Sequence, residues 1–155
     1  MDIIKHLTMG IILSLIFYPF FNYLVIIIFF SSFIFDVDHY IEYIIRKKDF
    51  SLLKAYKEAQ ELNKKQKTLK QVFIIDVLHI FHAIEFIIIL GILSFFSKLF
   101  LMVLIGLLFH NLLDIIEMAY YKTFKSRSPS IILWLIKHNG EKNKWQQRWA
   151  RFNPL

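Results

Sequence analysis

Five of the six histidines and seven of the twelve acidic residues stand in, or at the ends of, stretches that are otherwise almost uncharged. The histidines are His6, His39, His79, His82 and His110; the acids are Asp36, Asp38, Glu42, Asp76, Glu85, Asp114 and Glu117. An ionisable group in hydrocarbon costs on the order of 3 kcal/mol or more, so such groups turn toward one another and mark function. His110, Asp114 and Glu117 are spaced i, i+4, i+7 and share one helix face. His79, His82 and Glu85, at i, i+3, i+6, drift slowly around another, and Asp36 and His39 form an i, i+3 pair if their helix continues. Imidazoles with carboxylates, in a chain without cysteine, are the ligand types of zinc, iron or manganese in hydrolytic and oxidative centres.

The elements that must position these groups are apolar. The 155 residues are 57% hydrophobic and 17% aromatic, more than a soluble domain of this size can hide, which predicts a membrane protein of one domain, 1–155. Without cysteine there are no disulfides. The apolar N-terminus behind Lys5 lacks a small-residue cleavage site, which predicts a retained first helix. Ile3 to Phe17 and Phe20 to Phe35 are apolar runs interrupted by "YPFFN", where Pro19 disfavours a helix interior and Asn22 suits a turn. They predict a helical hairpin over 3–35. Residues 46–70 are polar, and "SLLKAYKEAQELNKKQK" is patterned as a solvent-facing amphipathic helix with Ser51 as N-cap. Val72 to Phe95 and Leu99 to Tyr121 predict a second hairpin over 72–121. The result is an all-α, polytopic membrane four-helix bundle, since spanning segments must satisfy their own backbone. The tail, 122–155, carries "SPSIILWLIKHNG", with Ser128 as N-cap, Pro129 at the first helical position and Gly140 as a stop. At about ten residues this helix is too short to span and should lie in the interface. Trp145, Trp149 and Phe152 among basic residues read as surface anchors.

Of the 19 Lys and Arg, nine lie in 46–70 and eight in 122–151; Lys98 is in a turn and Lys5 at the N-terminus. Basic residues favour the cytoplasmic side, which predicts both termini and the middle loop in the cytoplasm of a multi-pass cell-membrane protein, with the short turns outside. Anionic headgroups account for the net charge of +7, and no nucleic acid is needed. Counting inward from the turns places the polar groups in three matched layers. His6, Glu85 and His110 lie about 12–13 residues in, Asp36, His82 and Asp114 about 16–17, and Asp38, His39, His79 and Glu117 about 18–20. One buried histidine is ordinarily glue between helices; eight or more groups at matched depths on four helices point to a metal centre open to the cytoplasm. Either two ions sit about 3.5–4 Å apart, or the outer residues orient the ligands. Glu42 and Asp76 read as solvated or capping groups, and His138 as unrelated.

The ordered set of an N-terminal His6, "DVDH" at Asp36–His39, a histidine motif in the third helix and "HNLLD" at His110–Asp114 resembles the YdjM-like membrane-bound metal-dependent hydrolases. The third motif departs from that family's usual His-Arg-Gly-x-Thr-His-Ser: it reads "HIFHAIEF", without the Arg, Thr and Ser. The resemblance implies a class, hydrolase, and no substrate. The expected function is metal-activated water attacking a phosphoester or ester, with a membrane lipid as partner and a lipid-like substrate entering laterally. The expected ligands are His6, Asp36, His79, His82, His110 and Asp114, with His39 a ligand or an orienting group. Asp38 or Glu85 is the expected general base, and the cofactor is a divalent transition metal, zinc first, as one or two ions. The alternatives are a non-enzymatic metal-ion carrier or assembly partner and, ranked lower, a di-iron lipid oxidoreductase, for which the chain lacks Glu-x-x-His pairs. No phosphate-clamping Arg precedes "HNLLD", and no His-Glu-x-x-His is present.

Overall fold

The structure, a computed structural model, describes residues 3–69, 78–124 and 127–138. Among these the regular elements are all helical: α1 Ile3–Phe21, α2 Val25–Ile34, α3 Val37–Lys47, α4 Leu52–Leu69, α5 Ile84–Ser94, α6 Lys98–Tyr121 and α7 Ile131–His138. The run Ile4–Lys47 and the helix Lys98–Tyr121 are long and apolar enough to cross a membrane. Only 11% of the apolar window in the first is buried, and Ile11, Ile12, Ile16, Phe20, Ile26 and Phe30 face outward.

α1 packs on α2, α2 on α6, and α6 on α5. Small residues set the first two approaches. A Cβ on Gly10 would strike the Ser32 hydroxyl, and one on Gly106 would strike Ser31 and come within 2.6 Å of the Ile28 carbonyl oxygen. Such contacts let helix backbones draw together where apolar side chains alone would hold them apart. Leu13, Ile28 and Met102 then close the core at the hairpin end of α1, α2 and α6.

Three boundaries differ from expectation. Pro19 lies inside α1, which runs to Phe21; the turn falls at Asn22, whose φ of 48° is left-handed as an asparagine tolerates. The third apolar segment is not one helix from Val72. Its α-helix begins at Ile84 and has 11 residues, about 16 Å and too short to span unaided. Residues 78–79 are irregular and Ile80–His82 form a 3-10 turn, so His79, His82 and Glu85 do not share a helix. Finally, α7 begins at Ile131, with Ser130 rather than Ser128 accepting from the Leu133 N–H at 3.2 Å. Residues 70–77 with Asp76, Gly140, and Trp145, Trp149 and Phe152 lie outside the described residues.

α3 and α4 form a polar hairpin at the far end. Ser51 caps α4, accepting from the Lys54 N–H at 3.4 Å. Tyr40 donates to the Phe50 carbonyl at 2.7 Å, and Arg46 joins Glu42 to Glu58 across the pair. Bonds from Lys54 and the Ser51 N–H hold the Asp49 carboxyl below its usual range.

Candidate metal centre

Five pieces of chain meet where the apolar helices end. The first turns of α1 supply His6, and the turn after α2 supplies Asp36. The first turn of α3 brings Asp38 and His39, the 3-10 turn before α5 brings His82, and α6 brings His110 and Asp114. His6, His82 and Asp38 are at most 5% exposed, and His110 and Asp114 are 0% and 1% exposed.

The partners of the imidazoles fix their tautomers. His110 Nδ1 lies 2.8 Å from the Ser32 carbonyl oxygen, which can only accept, so Nδ1 carries the proton. Gly106, one turn earlier on α6, makes this reach possible by admitting α2. His82 Nδ1 lies 3.1 Å from Asp38 Oδ2 and donates to that carboxylate. Both neutral rings therefore present the Nε2 lone pair, and these nitrogens stand 2.8 Å apart. Two lone pairs at that distance repel unless a positive charge, a proton or a metal cation, lies with them.

Carboxylates surround the pair. Asp114 Oδ2 is 3.7 Å from His82 Nε2 and 3.6 Å from His110 Nε2, and Asp36 Oδ1 is 3.7 Å from His110 Nε2. His6 Nε2 is 3.2 Å from Asp114 Oδ1. Two sets of donors are close enough to hold a metal ion: His82, His110 and Asp114, and His6, Asp36 and His110. Among the described residues Asp36 Oδ1 is buried without a hydrogen-bond partner, as a carboxylate directed at a cation would be. A carboxylate on one ring and a backbone carbonyl on the other is how proteins orient metal-ligating histidines. The donor set fits the ion.

His39 and His79 stand beside this group. Their Nδ1 and Nε2 are 3.1 Å apart, and His39 Nε2 is 3.7 Å from Asp36 Oδ1. Neither shares the tight sets above. The two residues expected as bases are occupied otherwise. Asp38 Oδ2 also accepts the Phe81 N–H at 2.8 Å, so it ties the 3-10 turn to α3 and orients His82. Glu85 is away from the cluster: it accepts from the Ser130 hydroxyl and from the N–H groups of Ile131 and Ile132 at 3.0 and 3.2 Å, capping α7. Glu42, expected as a solvated or capping group, is 15% exposed and ion-paired, bonding Arg46 at 2.7 Å.

Sequence reasoning missed Arg127, which donates from Nη1 to Asp114 Oδ2 at 2.9 Å and is 13% exposed. Its one sequence signal is its place beside the "SPS" that starts α7. A cavity of about 440 Å³ opens between α3, α4 and the end of α6, and Asp36, His39, His79, Asp114 and Arg127 line it. The cluster thus forms part of the wall of a pocket large enough for a small-molecule group. Comparison with protein-family models, curated proteins and solved structures finds no match.

Proposed function

We propose that this chain is a membrane-embedded, metal-dependent hydrolase acting on a phosphoester or ester of a lipid, of the kind found in the YdjM-like hydrolases it resembles. One observation carries the reading: the paired Nε2 lone pairs of His82 and His110, with the carboxylates of Asp114 and Asp36 around them, the two carboxylates in turn lining a cavity whose other side is largely apolar. His6, Asp36, His82, His110 and Asp114 hold the ion, zinc by ligand type. A divalent ion so bound lowers the pKa of water and neutralises charge developing on the substrate. Ser32 and Asp38 keep the two rings in register, and the α3–α4 hairpin shields the cavity from bulk water. The outward apolar faces of α1, α2, α5 and α6 meet lipid as a bundle, with α3, α4 and both termini on the cytoplasmic side by their positive charge.

A carrier would need a polar path to both faces. Leu13, Ile28 and Met102 fill the opposite half, with Phe17 and Phe21 packed against them, so the cavity opens one way. The test is metal analysis of the purified protein, followed by hydrolysis of phospholipids and lipid phosphates with and without chelator. Stoichiometric zinc and chelator-sensitive turnover are expected. No metal after reconstitution would leave a proton as the charge between His82 and His110, and the hydrolase would be abandoned.

A further inference from the structure

The cavity carries two cationic side chains, Arg46 and Arg127, among the described residues that line it. They are not equivalent. Arg46 is shared between two carboxylates, Glu42 and Glu58. Arg127 reaches a single carboxylate in its described bonds, that of Asp114, and the guanidinium fork has more donors than this bond uses. It is also held in place by structure that does nothing else for the cluster. The Ile84 N–H donates to the Pro129 carbonyl at 3.0 Å, and Glu85 grips the start of α7 through Ser130, so residues 127–130 are fastened to the base of α5. The result is a nearly buried guanidinium fixed beside the metal ligands.

We infer that Arg127 recognises phosphate, and that the substrate is an amphiphile whose phosphate is held by Arg127 beside Asp114 and Asp36 while its chain lies along Val37, Tyr40, Tyr43, Leu52, Ala55 and Leu62. This deepens the hydrolase reading and rests on it. Asp36, Glu42, Asp114 and Glu117 all line the cavity, so an anion entering it is repelled unless a cation faces it. A neutral carboxylic ester makes no such demand. Guanidinium matches the paired oxygens of phosphate, and Arg is the side chain of choice where that planar geometry matters. The apolar wall of α3 and α4 has no use for free phosphate but fits an alkyl chain.

Dodecyl phosphate, dodecanoate and inorganic phosphate are titrated calorimetrically into wild type, Arg127→Gln, Arg127→Lys and, as an exposed charge control, Lys54→Gln. Metal content is measured in parallel. Wild type should prefer dodecyl phosphate to the other two. Arg127→Gln should weaken it by about 10- to 100-fold, the worth of a charge-assisted bond, and leave dodecanoate less affected. Arg127→Lys should fall between, since it keeps charge and loses the fork, and it decides the matter if the Gln variant does not fold. Unchanged dodecyl phosphate affinity in either folded variant overturns the assignment. Inorganic phosphate binding as tightly as dodecyl phosphate overturns the amphiphile. Arg127-dependent phosphate binding in a protein that takes up no metal would remove the hydrolase and leave this site standing.

Discussion

His82 Nε2 and His110 Nε2 face each other at 2.8 Å while the Nδ1 of each ring is committed to an acceptor, Asp38 Oδ2 for one and the Ser32 carbonyl for the other. The pair is a socket for positive charge built from three separate helical regions and one turn. If the charge is a metal, His110→Ala combined with Asp114→Asn removes it while the protein stays folded in the membrane fraction. Elemental analysis reads the outcome directly. A double variant with the metal content of wild type would place the ion elsewhere.

Asp38 tests whether the carboxylate behind His82 matters as an orienting group. Asp38→Asn can keep one of its two bonds but loses the charge that steadies the His82 ring. Metal affinity should fall by about 10- to 100-fold, as for other groups that orient ligating histidines. Competition with a zinc chelator measures it. Unchanged affinity with lost turnover would return Asp38 to proton transfer.

Glu85 should behave differently, because its carboxylate caps α7. Glu85→Gln is expected to lower stability by about 1 kcal/mol, the scale of an N-cap, with metal content unchanged. Thermal unfolding and metal analysis together separate this from a catalytic role, which would leave stability alone.

The face that α6 contributes to the His/Asp cluster was legible because His110 and Asp114 are four residues apart on a regular helix, and regular helices carry spacing faithfully. The histidines before α5 were legible as residue types but not in their geometry. Nothing in "HIFHAIEF" breaks a helix; the break at 79–83 comes from contacts distant in sequence. Asp38 takes the Phe81 N–H and the Pro129 carbonyl takes that of Ile84, so the freed backbone groups are satisfied away from any helix. His79, His82 and Ala83 are buried in protein, a setting in which irregular backbone is tolerated when its polar groups find partners. Arg127 was hidden for the same reason. In the sequence it is one basic residue among the eight of the tail, and only the grip of α5 on the start of α7 turns it inward. The Ser32 carbonyl has no sequence signal, since every residue has one.

The glycines offer an internal control. Gly106→Ala must displace Ser31 and the Ile28 carbonyl, and should destabilise by about 1–3 kcal/mol as an overpacked core does. Gly91 in α5 meets nothing within 4 Å, so Gly91→Ala should be neutral or stabilise by up to about 1 kcal/mol through helix propensity. Because α2 would be pushed from α6 one turn before His110, Gly106→Ala should also weaken metal binding, and Gly91→Ala should not. Equal melting temperatures for the two variants would contradict the close α2–α6 contact.

Charge predicts the side of the membrane on which the cavity of the proposed membrane protein opens. Lys54, Lys57, Lys64 and Lys65 lie on α4, which walls the cavity, while Lys98 starts α6 at the opposite end. Basic residues favour the cytoplasmic side, so the proposed orientation puts α4 and the cavity mouth there and Lys98 outside. The chain has no cysteine, so single cysteines report without background. A cysteine at Lys57, on the solvent face of α4, should resist an impermeant thiol reagent in intact cells and react after permeabilisation. A cysteine at Lys98 should react in both. The reverse pattern would turn the cavity to the outside, and with it the lipid leaflet from which a phosphate-bearing substrate could enter between α3, α4 and α6.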